Sequence, residues 1–331
     1  MGKSYGGVTP EEHHPIDFAV SGPCNLPSPN WEDCNYRRRA IACFIEAVYL
    51  LERDRQEKRT VENERAPTRW KVFDYKLTRT LVDDKDGSII GAVLEWDTCA
   101  ALLKFRFRGG APKAVLALRG TLLKGQTFWR DLKEDLRFAM VESLEKSVRF
   151  GVALESLESL VSRFKSCNVC VAGHSLGAAF AFQVGKKLAK KEVFVETHLF
   201  NPPSVSLAII WRGITEKARD ALKKFKGKFS SNRPNGEEGS EVCAALKNWA
   251  PLLYVNEGDL ICSRYTAPAG TSDAQAHIGA KVFVISNDEH KFREAHGLKQ
   301  WWNDDLQLQP QIYNSKILYN QVKPLCRTAP S

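Results

Sequence analysis

Gly173-His174-Ser175-Leu176-Gly177 is the stretch whose residue types and spacing could do chemistry. It is a G-x-S-x-G, and its flanks give it a structural context. Val169 to Ala172 is a short apolar run with β-branched residues, which predicts a buried strand. Leu176 to Ala189 is rich in Ala, Leu and Phe, which predicts a helix. A serine on a strand-to-helix turn with a glycine two positions away on each side is the arrangement of a nucleophile elbow. Such a turn lifts the Ser175 hydroxyl above the sheet edge. It also aims the Leu176 N–H and the positive end of the helix at one point, where a developing oxyanion can be held.

A serine hydroxyl is a poor nucleophile at neutral pH, so it needs a base, and the base needs an orienting acid. In this kind of fold the acid and then the histidine follow the serine in chain order, on loops after later strands. Leu252 to Asn256 predicts a strand, and Asp259 follows it in a Gly-containing turn, with Glu257 as the nearest rival. Lys281 to Ser286 predicts the last strand, and His296 comes after it. His277 and His290 also follow Asp259, and order alone does not exclude them. His174 belongs to the elbow and is expected to point away from the serine. His198 falls inside the strand expected over Val193 to Phe200. A second oxyanion donor should come from the loop after an earlier strand. Ala114 to Leu118 runs into Arg119-Gly120-Thr121, which makes the backbone N–H of Thr121, with its hydroxyl, the candidate beside Leu176.

Other patterns carry less. Cys167-x-x-Cys170 has no second half, and Cys170 lies within the elbow strand, so buried thiols are expected rather than a metal site. Asp83 to Gly87 lacks the alternating oxygens and closing Glu of a calcium loop and reads as a turn.

The elements that must position these residues follow an α/β pattern. Helices are expected over Asn35 to Arg55 (amphipathic, capped by Asp33 or Asn35), Trp129 to Phe138 and Ser143 to Lys165. Short strands are expected over Leu77 to Val82, Ser88 to Trp96, Ala100 to Phe107 and Ala114 to Leu118, giving the sheet an antiparallel start. Beyond residue 140 strands alternate with helices, which predicts parallel βαβ units. Residues 1–34 read as an N-terminal extension and 35–325 as a single domain, with 204–250 as a lid- or cap-like insertion.

The chain has 331 residues, 43 % hydrophobic and 26 % charged, enough for one large α/β domain or two smaller ones. No run of about 18 apolar residues occurs, and the first residues have no signal-peptide pattern. Nine cysteines at irregular spacing are then expected as reduced thiols in a cytoplasmic protein. The net charge is +9, and Trp211 to Lys228 holds seven basic residues against Glu216 and Asp220. That segment reads as a solvated helix face or as a peripheral contact with an anionic membrane. No nucleic-acid-binding module accompanies the charge, so no nucleic-acid partner is expected. Oligomeric state is not written in the pattern.

Three stretches, taken together, resemble the lipase class 3 family: Ala117-Leu-Arg-Gly-Thr121, Val171-Ala-Gly-His-Ser-Leu-Gly-Ala-Ala179 and Leu199-Phe-Asn-Pro-Pro203. Val255-Asn-Glu-Gly-Asp-Leu260 is similar to the family segment that carries the acid. Asn25 to Tyr36 and Glu294 to Trp302 resemble a plant subgroup whose members are labelled GDSL esterase/lipase, although no GDSL motif is present. The resemblance implies an α/β-hydrolase fold with a mostly parallel central sheet and helices on both faces. It implies hydrolysis of acyl esters of lipids with no metal and no organic cofactor, with Ser175 as nucleophile, Asp259 as acid, His296 as base, and Thr121 and Leu176 as oxyanion donors. Some relatives of this family bind a lipid, small ligand or protein partner without turnover, which is the alternative expectation.

Overall fold

A computed structural model describes residues 29–122, 147–203, 248–266, 280–286, 292–302, 306–309 and 311–313. The chain opens with helix α1 (Cys34–Gln56), the short α2 (Thr68–Lys71), strands β1 (Tyr75–Val82) and β2 (Ile89–Trp96), and α3 (Thr98–Leu103). β3 (Ala114–Leu118), α4 (Val148–Phe164), β4 (Val169–His174), α5 (Leu176–Ala189) and β5 (Glu196–Phe200) follow. β6 (Leu252–Asn256), β7 (Ala280–Ile285), α6 (Phe292–His296) and β8 (Gln311–Tyr313) complete it.

All eight strands form one sheet, and their spatial order is their sequence order. β1, β2 and β3 pair antiparallel, β3 through β7 pair parallel, and β8 returns antiparallel on β7. This is an α/β-hydrolase-like sheet, mostly parallel with an antiparallel start. Successive parallel strands joined by right-handed crossovers throw their helices onto one face. Accordingly α4 and α5 share one core with Leu116, Leu118, Val171 and Leu199. The alternate residues, Val115, Ala117, Ala172 and Phe200, face the other side. There the cover comes from α1 and from the 3-10 turn Leu298–Trp302. Tyr254 stacks between Phe200 and Phe283 on that face, with centroids 4.1 and 4.8 Å away. Each such ring, fully buried, is worth about 1.5–3 kcal/mol in transfer alone.

Asp33 caps α1 by accepting from the Asn35 N–H. The helix is more deeply enclosed than an amphipathic surface helix, because both the sheet and the chain near residue 306 pack on it. Arg38, a charged residue within this helix, is fully buried and donates to the Leu306 carbonyl at 2.7 Å. Glu52 near the other end accepts from the Ile89 N–H at 2.8 Å and so ties α1 to the start of β2. Burial pushes the Glu52 carboxyl up, but Arg55, the Ile89 N–H and Gln56 outweigh it and hold its pKa at about 2.

One local expectation is corrected. Ala100 to Phe107 is not a strand. Asp97 accepts from the Cys99 and Ala100 N–H groups, and this cap turns the run into α3. α4 buries Phe150, Ala153, Leu157 and Leu160 against the sheet, while Val148 at its first turn is exposed. Strand β8 had no signal strong enough to predict it. The helix expected over Trp129 to Phe138, the basic segment 211–228, nearly all of the 204–250 insertion, and residues His277 and His290 lie outside the described residues. No described helix is long and apolar enough to cross a membrane.

Candidate active site

Ser175 stands between β4 and α5 with φ 54° and ψ −123°, a conformation that non-glycine residues seldom hold. Its neighbours impose it. The Ser175 N–H donates to the Phe200 carbonyl of β5 at 3.0 Å, and the Ser175 carbonyl accepts from Ala178 at 3.0 Å. Both glycines are required by close approach. A Cβ on Gly173 would lie 2.2 Å from the Gly177 oxygen, and one on Gly177 would lie 2.5 Å from the Leu118 and Arg119 oxygens. The chain crossing here is therefore tighter than any side chain allows.

The loops after β6 and β7 bring two partners to the serine. His296, at the end of α6, has Nε2 at 3.0 Å from Ser175 Oγ and Nδ1 at 2.8 Å from Asp259 Oδ2. All three residues are buried. Asp259 also accepts from Asn201 Nδ2 at 2.7 Å, the Cys262 thiol at 3.2 Å and the Ile261 N–H at 3.0 Å. Burial pushes the Asp259 carboxyl up. The attraction and hydrogen bond of His296, with the Asn201 and Ile261 donors, exceed that effect and hold it below its ordinary value. Glu257, the rival acid, is exposed at the turn.

Gly120 touches the elbow from β3. A Cβ there would lie 2.9 Å from Ser175 Cβ and 2.8 Å from the His174 carbonyl. Thr121 is the next residue. Its hydroxyl oxygen is buried and has no hydrogen-bond partner among the described residues. Leu176 is the first residue of α5, so its N–H has no acceptor within the helix. Arg119 braces this turn by donating to the Ile89 carbonyl at 2.5 Å and the Gly120 carbonyl at 2.8 Å.

His174 points away from the serine, as expected, but it is not idle. Its Nε2 lies 2.8 Å from the His296 carbonyl and its Nδ1 2.8 Å from Tyr49 Oη. A carbonyl can only accept, so Nε2 carries the proton and Nδ1 accepts from the Tyr49 hydroxyl. Tyr49 Oη in turn accepts from the Gly120 N–H at 2.7 Å. One chain of hydrogen bonds thus joins the histidine loop, the elbow, α1 and the turn before Thr121. Burial, aided by repulsion from His296, pushes His174 down to about 3, which keeps the ring neutral. Burial likewise pushes the Tyr49 phenol up.

Asn201 was legible in the sequence only as the end of a strand. It is fully buried with φ 45°. Its amide donates to Asp259 and to the Ala295 carbonyl at 2.9 Å, and its oxygen accepts from Trp301 Nε1 at 2.6 Å. It therefore clamps the acid loop to the histidine loop. The signal available was an Asn before Pro202-Pro203 at a strand end, a residue that tolerates the left-handed region.

Among the described residues, one group brings three metal-ligating side chains together: Cys170, Glu196 and His198. They suit a metal poorly. Glu196 is already engaged by Arg37 at 2.5 Å and by His198 Nε2 at 2.6 Å, and His198 Nδ1 by Tyr254 Oη at 2.9 Å. Burial also pushes the Cys170 thiol well up, away from the thiolate a metal needs.

A sequence model of the family described as Lipase (class 3) matches residues 114–205, which hold β3, the elbow and β5. An Arabidopsis thaliana protein named as a GDSL esterase/lipase is 28 % identical over 344 residues, covering 91 % of this chain and 98 % of its own length.

Proposed function

We propose that this chain, which is similar to the lipase family over residues 114–205 and to an esterase/lipase over most of its length, is a serine carboxyl-ester hydrolase acting on acyl esters of lipids. The family supports ester hydrolysis in general. The hydrogen-bonded run Ser175–His296–Asp259 on a strained elbow supports the particular mechanism. Ser175 Oγ attacks the ester carbonyl carbon while His296 Nε2 takes its proton. Asp259 holds the ring in the tautomer that leaves Nε2 free to accept, and stabilises the cation that forms. The N–H groups of Leu176 and Thr121, with the Thr121 hydroxyl, meet the oxyanion. His296 then passes the proton to the leaving alcohol, and an acyl-Ser175 remains. Water, deprotonated by His296, attacks that acyl group, releases the carboxylic acid and restores the serine. The 204–250 segment, read from the sequence as a lid- or cap-like insertion, lies almost wholly outside the described residues.

The test is hydrolysis of a panel of soluble p-nitrophenyl esters of graded chain length by wild type and Ser175→Ala. Turnover by the wild type that falls by about 10⁶ in the variant supports the reading. A wild type that folds, binds esters and shows no turnover at any chain length overturns it.

A further inference from the structure

The segment that closes α3 is exposed where burial is the rule. Leu102, Leu103, Phe105 and Phe107 are 59 %, 84 %, 90 % and 82 % exposed. A single exposed apolar side chain needs no explanation, but four large ones within six residues form a patch that does. Phe105 adds a second oddity. The Phe105 N–H donates to the Leu102 carbonyl at 3.0 Å and the Arg106 N–H to the Ala101 carbonyl at 2.9 Å, the pattern of a helix end. Phe105 has φ 53° at the position where such ends place glycine. The fold thus carries a strained backbone there and buries almost none of the ring in return.

The ground around these side chains is basic. Lys104 and Arg106 alternate with the two Phe residues and share Asp74, at 2.6 and 3.1 Å. Arg108 Nη1 meets only neutral groups, the Ala111 carbonyl and Asn168 Oδ1. Among the described residues, no carboxylate lies within ion-pair distance of Arg108, Lys71 or Lys113. A cleft of about 440 Å³, lined by Trp96, Leu102, Phe107 and Phe164, opens beside Arg108 and Lys113, and its one carboxylate, Glu95, is paired with Arg163 at 2.8 Å.

Apolar side chains projecting from a cationic ground match the headgroup boundary of an anionic bilayer, where rings and leucines enter the acyl layer and cations meet phosphates. A second copy of this chain would set the same cations against each other. Single-stranded nucleic acid would use the rings and the arginines but leave Leu102 and Leu103 without a role. We propose that the tip formed by Leu102, Leu103, Phe105 and Phe107 docks this protein onto an anionic phospholipid bilayer.

The tip sits at the end of the sheet where β3 and β4 begin, because Lys113 precedes Ala114 and Asn168 precedes Val169. Ser175 lies where those strands finish. Strands of this length, at about 3.3 Å per residue, put the two roughly 16–20 Å apart along the sheet. A bilayer held at the tip therefore leaves the Ser175 end facing away. On the hydrolase reading, the ester then arrives from the aqueous side and not from the docked bilayer.

The experiment is co-sedimentation of the full chain with vesicles of 70:30 phosphatidylcholine:phosphatidylserine, and with pure phosphatidylcholine vesicles. Wild type is compared with Phe105→Gly and with Phe105→Gly/Phe107→Ser. Wild type should prefer the anionic vesicles, and the double variant should lose at least about tenfold in binding, less than full burial of two rings implies. Glycine fits the Phe105 backbone, so Phe105→Gly should melt no lower than wild type, which separates lost docking from lost folding. Hydrolysis of a soluble ester should be unchanged in both variants. Equal vesicle binding by wild type and double variant, or no binding by wild type, overturns the proposal. So does a wild-type dimer in light scattering that the double variant converts to monomer. Vesicle binding by the tip without any ester turnover upholds the docking surface and removes the hydrolase reading alone.

Discussion

Asn201 holds together the two loops that meet at the serine, and the cost of losing its amide can be worked from its partners. Asn201→Gly removes the bonds to Asp259, the Ala295 carbonyl and Trp301 Nε1, and leaves the φ of 45° acceptable. Asp259 keeps His296 and the Ile261 N–H. The Ala295 carbonyl keeps Gln300 Nε2 at 2.6 Å, so its loss is partial. Trp301 is fully buried, and its N–H loses the acceptor it has here. Each buried polar group left unmet costs about 1–3 kcal/mol. One full and one partial loss give about 3 kcal/mol. Asn201→Ala loses the same bonds and adds about 1 kcal/mol for a Cβ in the left-handed region. Alanine should therefore be the worse replacement, the reverse of the usual order of the two residues. Urea unfolding with an unchanged slope reads both values. Two variants within about 0.5 kcal/mol of wild type, or alanine more stable than glycine, would show that Asn201 does not clamp the two loops.

Three further outcomes follow from the same geometry. Asp259→Asn should lower kcat by about 10⁴ with KM little changed, since the amide reverses the ring tautomer of His296; steady-state kinetics at pH 7 checks it. Tyr49→Phe removes the acceptor of the Gly120 N–H and the donor to His174 Nδ1. It should lower kcat by up to about 10², short of losing a whole oxyanion donor, and leave KM unchanged; a KM effect without a kcat effect would count against a positioning role. Acidification should destabilise the fold in two windows. His174 is held at about 3, so the unfolded chain takes its proton first, and stability falls between pH 6.5 and 3. Glu52 and Glu196 are held at about 2. Their stabilisation is complete above about pH 4.5 and is lost as pH falls toward 2. Thermal melts across pH 2–8 test the sum, and His174→Gln should flatten the upper window.

The parts of the molecule that could be read from sequence are those whose causes are local. The elbow is a strand, two glycines and a helix within about twenty residues, and each piece has its own signal. Asp259 and His296 could be named because a loop's place after a strand is readable, though choosing them over Glu257 and His290 was not settled by order. Asn201 was not readable as a clamp, because its partners lie 58, 94 and 100 residues away. The burial of Arg38 was hidden for the same reason, since its acceptor at Leu306 is 268 residues distant. Ala100 to Phe107 misled because Leu103, Phe105 and Phe107 alternate like a strand, while one capping carboxylate at Asp97 decides the conformation.

The most direct test of the account is to ask whether Ser175 is activated. Wild type is incubated with a diethyl p-nitrophenyl phosphate probe at pH 8, and the intact mass and the peptide spanning residues 173–177 are measured. One diethylphosphoryl adduct is expected, on Ser175, formed far more slowly in His296→Ala. An unmodified Ser175 in folded protein, or an adduct on another residue, would contradict it.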